Sequence, residues 1–180
     1  MVLLDERFKG IIRDALRCLA EAPAREVGAW SGRVPIVVFT DETTFFGLET
    51  GSCLMFGDNI PEAWLQRWRR DGKTQLICQA EIFPILVADA TWSDLLSRRA
   101  MFWFVDNNSA LSAVIRAFSP VIKKYKLLVW NSRLDVKLQS MSSYARVPSK
   151  SNLSDEASRL KFENLQTQGC DANPSTISSR

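Results

Sequence analysis

Val37-Val38-Phe39-Thr40-Asp41 and Met101-Phe102-Trp103-Phe104-Val105-Asp106 are two short apolar runs that each end in an aspartate. Continuous apolar runs of this length read as strands buried on both faces of a sheet. A buried strand has little reason to end in a bare carboxylate, because an unpaired charge is costly to desolvate. If the two strands lie side by side and parallel, both carboxylates emerge at one sheet edge. Open α/β sheets bind their ligands at that edge, outside the carboxyl ends of the strands. Two converging acids with no basic residue between them point to a divalent cation.

Composition narrows the chemistry further. At 180 residues the chain can bury a sizeable core, and its 46% hydrophobic and 24% charged content is ordinary for a globular protein. A net charge of +3 is compatible with nucleic acid without indicating it. Nothing resembles a signal peptide, and no run approaches the ~20 apolar residues of a membrane span. The expectation is therefore an intracellular protein, of cytoplasm or nucleus, with no membrane partner. Cys18, Cys53, Cys78 and Cys170 share no metal-type spacing and read as free thiols of a reducing compartment. The complete absence of histidine excludes Ser-His-Asp and Cys-His catalysis and every histidine-ligated zinc site. Carboxylates with magnesium are the natural remaining set, since magnesium takes oxygen ligands.

Three segments follow from the patterning. Residues 1–33 are an amphipathic helix and linker: Leu4, Phe8, Ile11, Ile12, Leu16 and Leu19 share one helical face, and Ala22-Pro23-Ala24 ends it. Residues 34–162 form the domain, and 163–180, rich in Gln, Asn, Ser and Thr, read as a disordered tail. Within the domain, Val34–Thr40 is the first strand, a turn-rich stretch runs through Gly47, and a second strand lies near Ser52–Phe56. A third strand falls near 60–68 or 73–78. A helix follows from about Gln79 to Leu96, with Pro84 in its first turn or two and Glu81 in the first turn or just before it. After the 101–105 strand come a helix at 109–118, a longer one begun by Pro120, and a last strand at Ser142–Val147. Asn152 or Ser154 can cap a final helix that holds Asp155 and Glu156 in its first turn. The class is α/β, a mixed sheet with helices on its faces.

Four acids stand at element ends: Asp41, Glu81, Asp106 and Asp155. Such a set can hold two magnesium ions ~3.5–4 Å apart, clamping the attacking and leaving oxygens of a phosphodiester. Phe39-Thr40-Asp41, Gln79-Ala80-Glu81, Phe104-Val105-Asp106-Asn107 and Ser151-Asn152-Leu153-Ser154-Asp155-Glu156 resemble the four acidic motifs of the ribonuclease H-like domain. They are most similar to the version found in reverse-transcriptase polyproteins of retroelements, and the likeness covers roughly 34–160. It implies a five-stranded mixed sheet flanked by helices and hydrolysis of the RNA strand of RNA–DNA hybrids. It also implies two Mg2+ ions, or Mn2+, held by Asp41, Glu81, Asp106 and Asp155 as metal ligands and catalytic acids. The leading helix then resembles the connection to a polymerase domain of a parent polyprotein. Two departures stand out: Glu42 replaces the glycine that commonly follows the first aspartate, and the family's loop histidine is missing.

Each feature also has a plainer reading. Asp41 and Asp106 can simply terminate strands, and Glu81 and Asp155 can serve helix dipoles. Asn107 and Asn108 can cap the helix at 109–118. Trp64 and Trp68, interleaved with Arg67, Arg69, Arg70 and Lys73, suit stacking on nucleic acid, but tryptophans four apart more often belong to a core. Lys123, Lys124 and Lys126 read as a solvated face. A DEDD-type exonuclease would need an acid at position 43, which is Thr, and an integrase-type transposase would end its triad in Glu, a place Glu156 alone can fill. The remaining alternative is a catalytically degenerate domain acting as a nucleic-acid-binding or structural module.

Overall fold

The computed structural model describes residues 6–21, 35–41, 44–49, 52–70, 76–155 and 170–172. The first apolar run forms β1 (Ile36–Asp41) and the second forms β4 (Ala100–Val105). The two pair in parallel, with Val38 opposite Trp103 and Thr40 opposite Val105. β2 (Thr44–Glu49) and β3 (Ser52–Gly57) continue from β1 as an antiparallel meander. β5 (Met141–Arg146) adds in parallel to the outer side of β4. On the other flank β6 (Cys170–Ala172) lies parallel to β3, so the sheet has six strands in the order β5-β4-β1-β2-β3-β6.

Helices cover one face. Ile36, Val38 and Thr40 of β1 and Met101, Trp103 and Val105 of β4 are buried, as period-two alternation requires. They meet α3 (Ile77–Thr91), α5 (Asn108–Arg116) and α6 (Ile122–Leu138) in one continuous core. The opposite face, with Val37, Phe39, Phe102 and Phe104, is half-buried, so the two strands are not sealed equally on both sides. There the Phe39 and Phe104 rings stack with centroids 5.0 Å apart. α1 (Glu6–Glu21) lies against α6, with Asp14 3.8 Å from Arg133.

Several expectations change. The stretch expected to be turn-rich through Gly47 holds β2, and residues 62–69 form a helix, α2 (Glu62–Arg69), in place of a strand. The expected single helix from Gln79 to Leu96 is two, α3 and the one-turn α4 (Ser93–Leu96). α3 starts two residues early and carries Pro84 in its interior. A proline there removes only the bond to the Ala80 carbonyl, while nearly every side of α3 is buried, so packing outweighs the lost bond. Of the expected tail, 170–172 is the edge strand β6, which makes the sheet six-stranded instead of five-stranded; the rest of that segment, like the linker through residue 33 and Val34 after it, lies outside the described residues. No helix among the described residues is long and apolar enough to cross a membrane.

Candidate metal centre

The centre is assembled by strand register. Because Thr40 and Val105 are opposite each other in a parallel pair, the residues that follow them, Asp41 and Asp106, leave the sheet side by side. α3 packs across β1 and delivers Glu81 from its second turn, one turn further in than expected. One carboxylate oxygen from each of Asp41, Glu81 and Asp106 lies within 4.8 Å of the other two. Asp41 is 8% and Glu81 4% exposed, while Asp106 is half-buried. At this spacing two ionised carboxylates repel by roughly 3 kcal/mol for an effective dielectric of about 20. Such a group is held together by a cation or by protons.

The donor set selects the cation. It is all oxygen, with neither imidazole nor thiolate, which suits hard divalent ions such as magnesium, manganese or calcium. An acidic trio of this kind, with two of its three members buried, can hold a metal ion, and these residues fit one.

The surrounding loops fix the acids in place. Asn107 follows Asp106 directly and caps α5: its Oδ1 accepts from the backbone N–H groups of Ser109 at 2.9 Å and Ala110 at 3.0 Å. The side chain of Asn107 is thus committed to the helix start. On the β1 side, the Nδ2 of Asn152 donates to the Thr40 carbonyl at 3.0 Å, one residue before Asp41. The Oδ1 of Asn152 accepts from the Ser154 hydroxyl at 2.7 Å and from the Ser154 N–H at 3.3 Å. Asn152 and Ser154 are both buried. The Asp155 N–H donates to the Asn152 carbonyl at 3.1 Å, so the same brace brings Asp155 to this sheet edge. Asp155 is half-buried there and is not a member of the close trio. Sequence reasoning saw Asn152 only as a cap; the Ser-Asn-x-Ser pattern carried no sign of its long-range bond to β1. Glu42 lies outside the described residues.

The tryptophan-rich segment is core. Trp68 is 2% exposed, and Trp64 packs against Trp68, Phe83 and Trp130 with ring centroids 5.4–6.2 Å apart. Arg67, Arg69 and Arg70 are exposed, and the Arg67 guanidinium lies 5.6 Å from the Trp64 ring centre. Lys123, expected on a solvated face, is half-buried and donates to the Trp68 carbonyl.

No family model, curated protein or solved structure gives a significant match to this chain.

Proposed function

We propose that this chain is a divalent-metal-dependent endoribonuclease of the ribonuclease H-like type, cleaving the RNA strand of RNA–DNA hybrids. The observation that carries the reading is the trio Asp41–Glu81–Asp106, drawn from two parallel strand ends and a crossing helix. The mixed sheet and the order of acidic motifs along the chain add to it. When bound, two Mg2+ or Mn2+ ions would lower the pKa of water and neutralise charge on the reacting phosphodiester. Asp41 and Asp106 hold their side of the site rigidly, since their strands are register-locked. Glu81 closes it from the helix layer, and burial of Asp41 and Glu81 keeps bulk water from that side. Asp155, on the Asn152 brace, is the fourth ligand of the reading.

The test is a labelled RNA–DNA hybrid incubated with Mg2+, with single-stranded RNA and duplex DNA as controls. Cleavage of the hybrid's RNA strand is expected, falling to background in Asp41→Asn and Asp106→Asn. Intact hybrid with the parent protein would refute the nuclease reading, and cleavage surviving both substitutions would locate the activity elsewhere. The position of Asp155 outside the trio favours one second reading, a metal-holding module that binds nucleic acid or a polymerase domain without turnover. Under it, Mg2+ binds with no cleavage of any substrate.

A further inference from the structure

A second group of polar side chains is buried between α3 and the layer of α6 and β5. Asp89 lies eight residues beyond Glu81 on α3, about 12 Å along the helix axis. It is 1% exposed, and neither carboxyl oxygen has a hydrogen-bond partner among the described residues. Asp135 of α6 lies within electrostatic reach of it. The two differ in surroundings. Asp135 accepts from the Ser142 hydroxyl at 2.7 Å and the Ser140 hydroxyl at 3.3 Å, and Ser142 is held in turn by the Trp103 indole N–H at 3.2 Å. One turn earlier on α6, Asn131 donates to the Tyr144 hydroxyl at 2.8 Å, leaving its own Oδ1 buried and without a partner among the described residues. The cluster therefore has three acceptor oxygens, two on Asp89 and one on Asn131, that receive no hydrogen bond among the described residues. A proton on Asp89 removes the charge that its burial penalises.

We propose that Asp89 is a neutral carboxylic acid in the native protein, and that with Asp135 it forms a proton-dependent lock between α3 and the α6–β5 layer that sets the position of Glu81. The last clause rests on the metal-centre reading; the lock does not. Desolvation first, and then the charge of Asp135, push Asp89 up to about 8. Burial chiefly, with the charge of Asp135 adding, pushes the Tyr144 hydroxyl up as well, so Tyr144 stays neutral. Among the described residues, burial and the charge of Asp135 dominate at Asp89, with no cation offsetting them. β1 and β4 bring apolar side chains and Thr40 against α3; Asp94 of α4 and Arg116 of α5 are exposed; Arg98 is exposed and bonded to Gln139, and Arg99 is only half-buried before β4. On α6, Lys123 reaches the Trp68 carbonyl and Arg133 reaches Asp14; Lys124 is half-buried without acting on Asp89, and Lys126 and Lys137 are exposed.

The sign follows from linkage. The folded value is raised above the unfolded 3.8, so the native state keeps a proton that the unfolded chain releases. The contribution of Asp89 to stability is complete below pH 3.8, declines as pH rises, and is gone above about 8. Urea unfolding in chelator, from pH 5 to 9.5, should show the wild-type unfolding constant rising relative to Asp89→Asn by up to about tenfold per pH unit, levelling near pH 8. Asp135→Asn should move that levelling to lower pH, which keeps the test valid should Asp89→Asn fold poorly. Parallel wild-type and Asp89→Asn profiles, or a levelling that Asp135→Asn leaves in place, would overturn the lock. Calorimetric titration with Mg2+ at pH 6.5 and 9.0 reads the coupling: wild-type affinity should weaken severalfold at the higher pH, and that of Asp89→Asn should hold. Equal pH dependence in the two proteins would overturn the coupling to Glu81. Absence of Mg2+ binding at both pH values would overturn the metal centre together with that coupling, while the unfolding curves alone decide the lock.

Discussion

Asn152 shows how one side chain can serve both a local cap and a distant strand. Its Oδ1 organises the turn that leads into Asp155, and its Nδ2 fastens that turn to the Thr40 carbonyl beside Asp41. Both groups are buried, so removing them cannot be offset by water. Asn152→Ala is expected to cost about 1–3 kcal/mol in urea unfolding, the range for losing buried hydrogen-bond partners. It should also separate binding from turnover. Asp41, Glu81 and Asp106 are placed by register and helix packing and should still take up Mg2+, whereas hybrid cleavage should fall as Asp155 loses its anchor. Unchanged cleavage in this variant would show that Asp155 needs no brace, or has no part in the reaction. The acids themselves were legible because a carboxylate ending an apolar run is conspicuous. Asp89 was not, since a single Asp in the apolar stretch Ile82–Ala90 looks like any helix residue until its burial and its two partnerless oxygens are seen.

At the scale of elements, legibility tracked the clarity of the period. β1, β4 and β5 and the helices α1, α5 and α6 each carry an uninterrupted strand or helix pattern, and each forms where that pattern lies. α2 has a helical spacing too, in Ile60, Trp64, Leu65 and Trp68, but four positive charges among and after these residues masked it. β2 was hidden by Gly47 in its middle, and β6 is three residues long and too short to show any period. Helix ends offer a clean stability test. α5 and α6 finish in left-handed caps without glycine, at Ala117 with φ 48° and Gln139 with φ 52°. A side chain in that region costs roughly 1–2 kcal/mol, part of which glycine recovers after its larger unfolded-state entropy is counted. Ala117→Gly should therefore stabilise the protein by about 0.5–1 kcal/mol, raising Tm by about 2 °C in calorimetry. Gln139→Gly should gain less, because the Gln139 Oε1 accepts from Arg98 Nε at 3.0 Å and that bond would be lost. Equal gains at the two sites would mean that the Arg98 contact contributes nothing.

At the scale of the molecule, the sheet and its helical layer converge on a point where like charges are forced together. β1 and β4 bring two acids to one edge, α3 adds a third, and two of the three are buried. Folding thus works against electrostatic repulsion at the centre, and whatever relieves that repulsion must stabilise the whole chain. A cation bound by the native trio, and not by the unfolded chain, adds RT ln(1 + [L]/Kd) to stability, about 2.7 kcal/mol at one hundred times Kd. Saturating Mg2+ should accordingly raise Tm by several degrees over the protein in chelator, with Mn2+ acting likewise and K+ at equal ionic strength failing to do so. Asp106→Asn should blunt the response, and it should do so while making the metal-free protein more stable than wild type, because one repelling charge has gone. The metal response is what distinguishes a built cation site from acids that merely end two strands: a rise in Tm with Mg2+ that Asp106→Asn leaves unchanged would place the bound cation elsewhere.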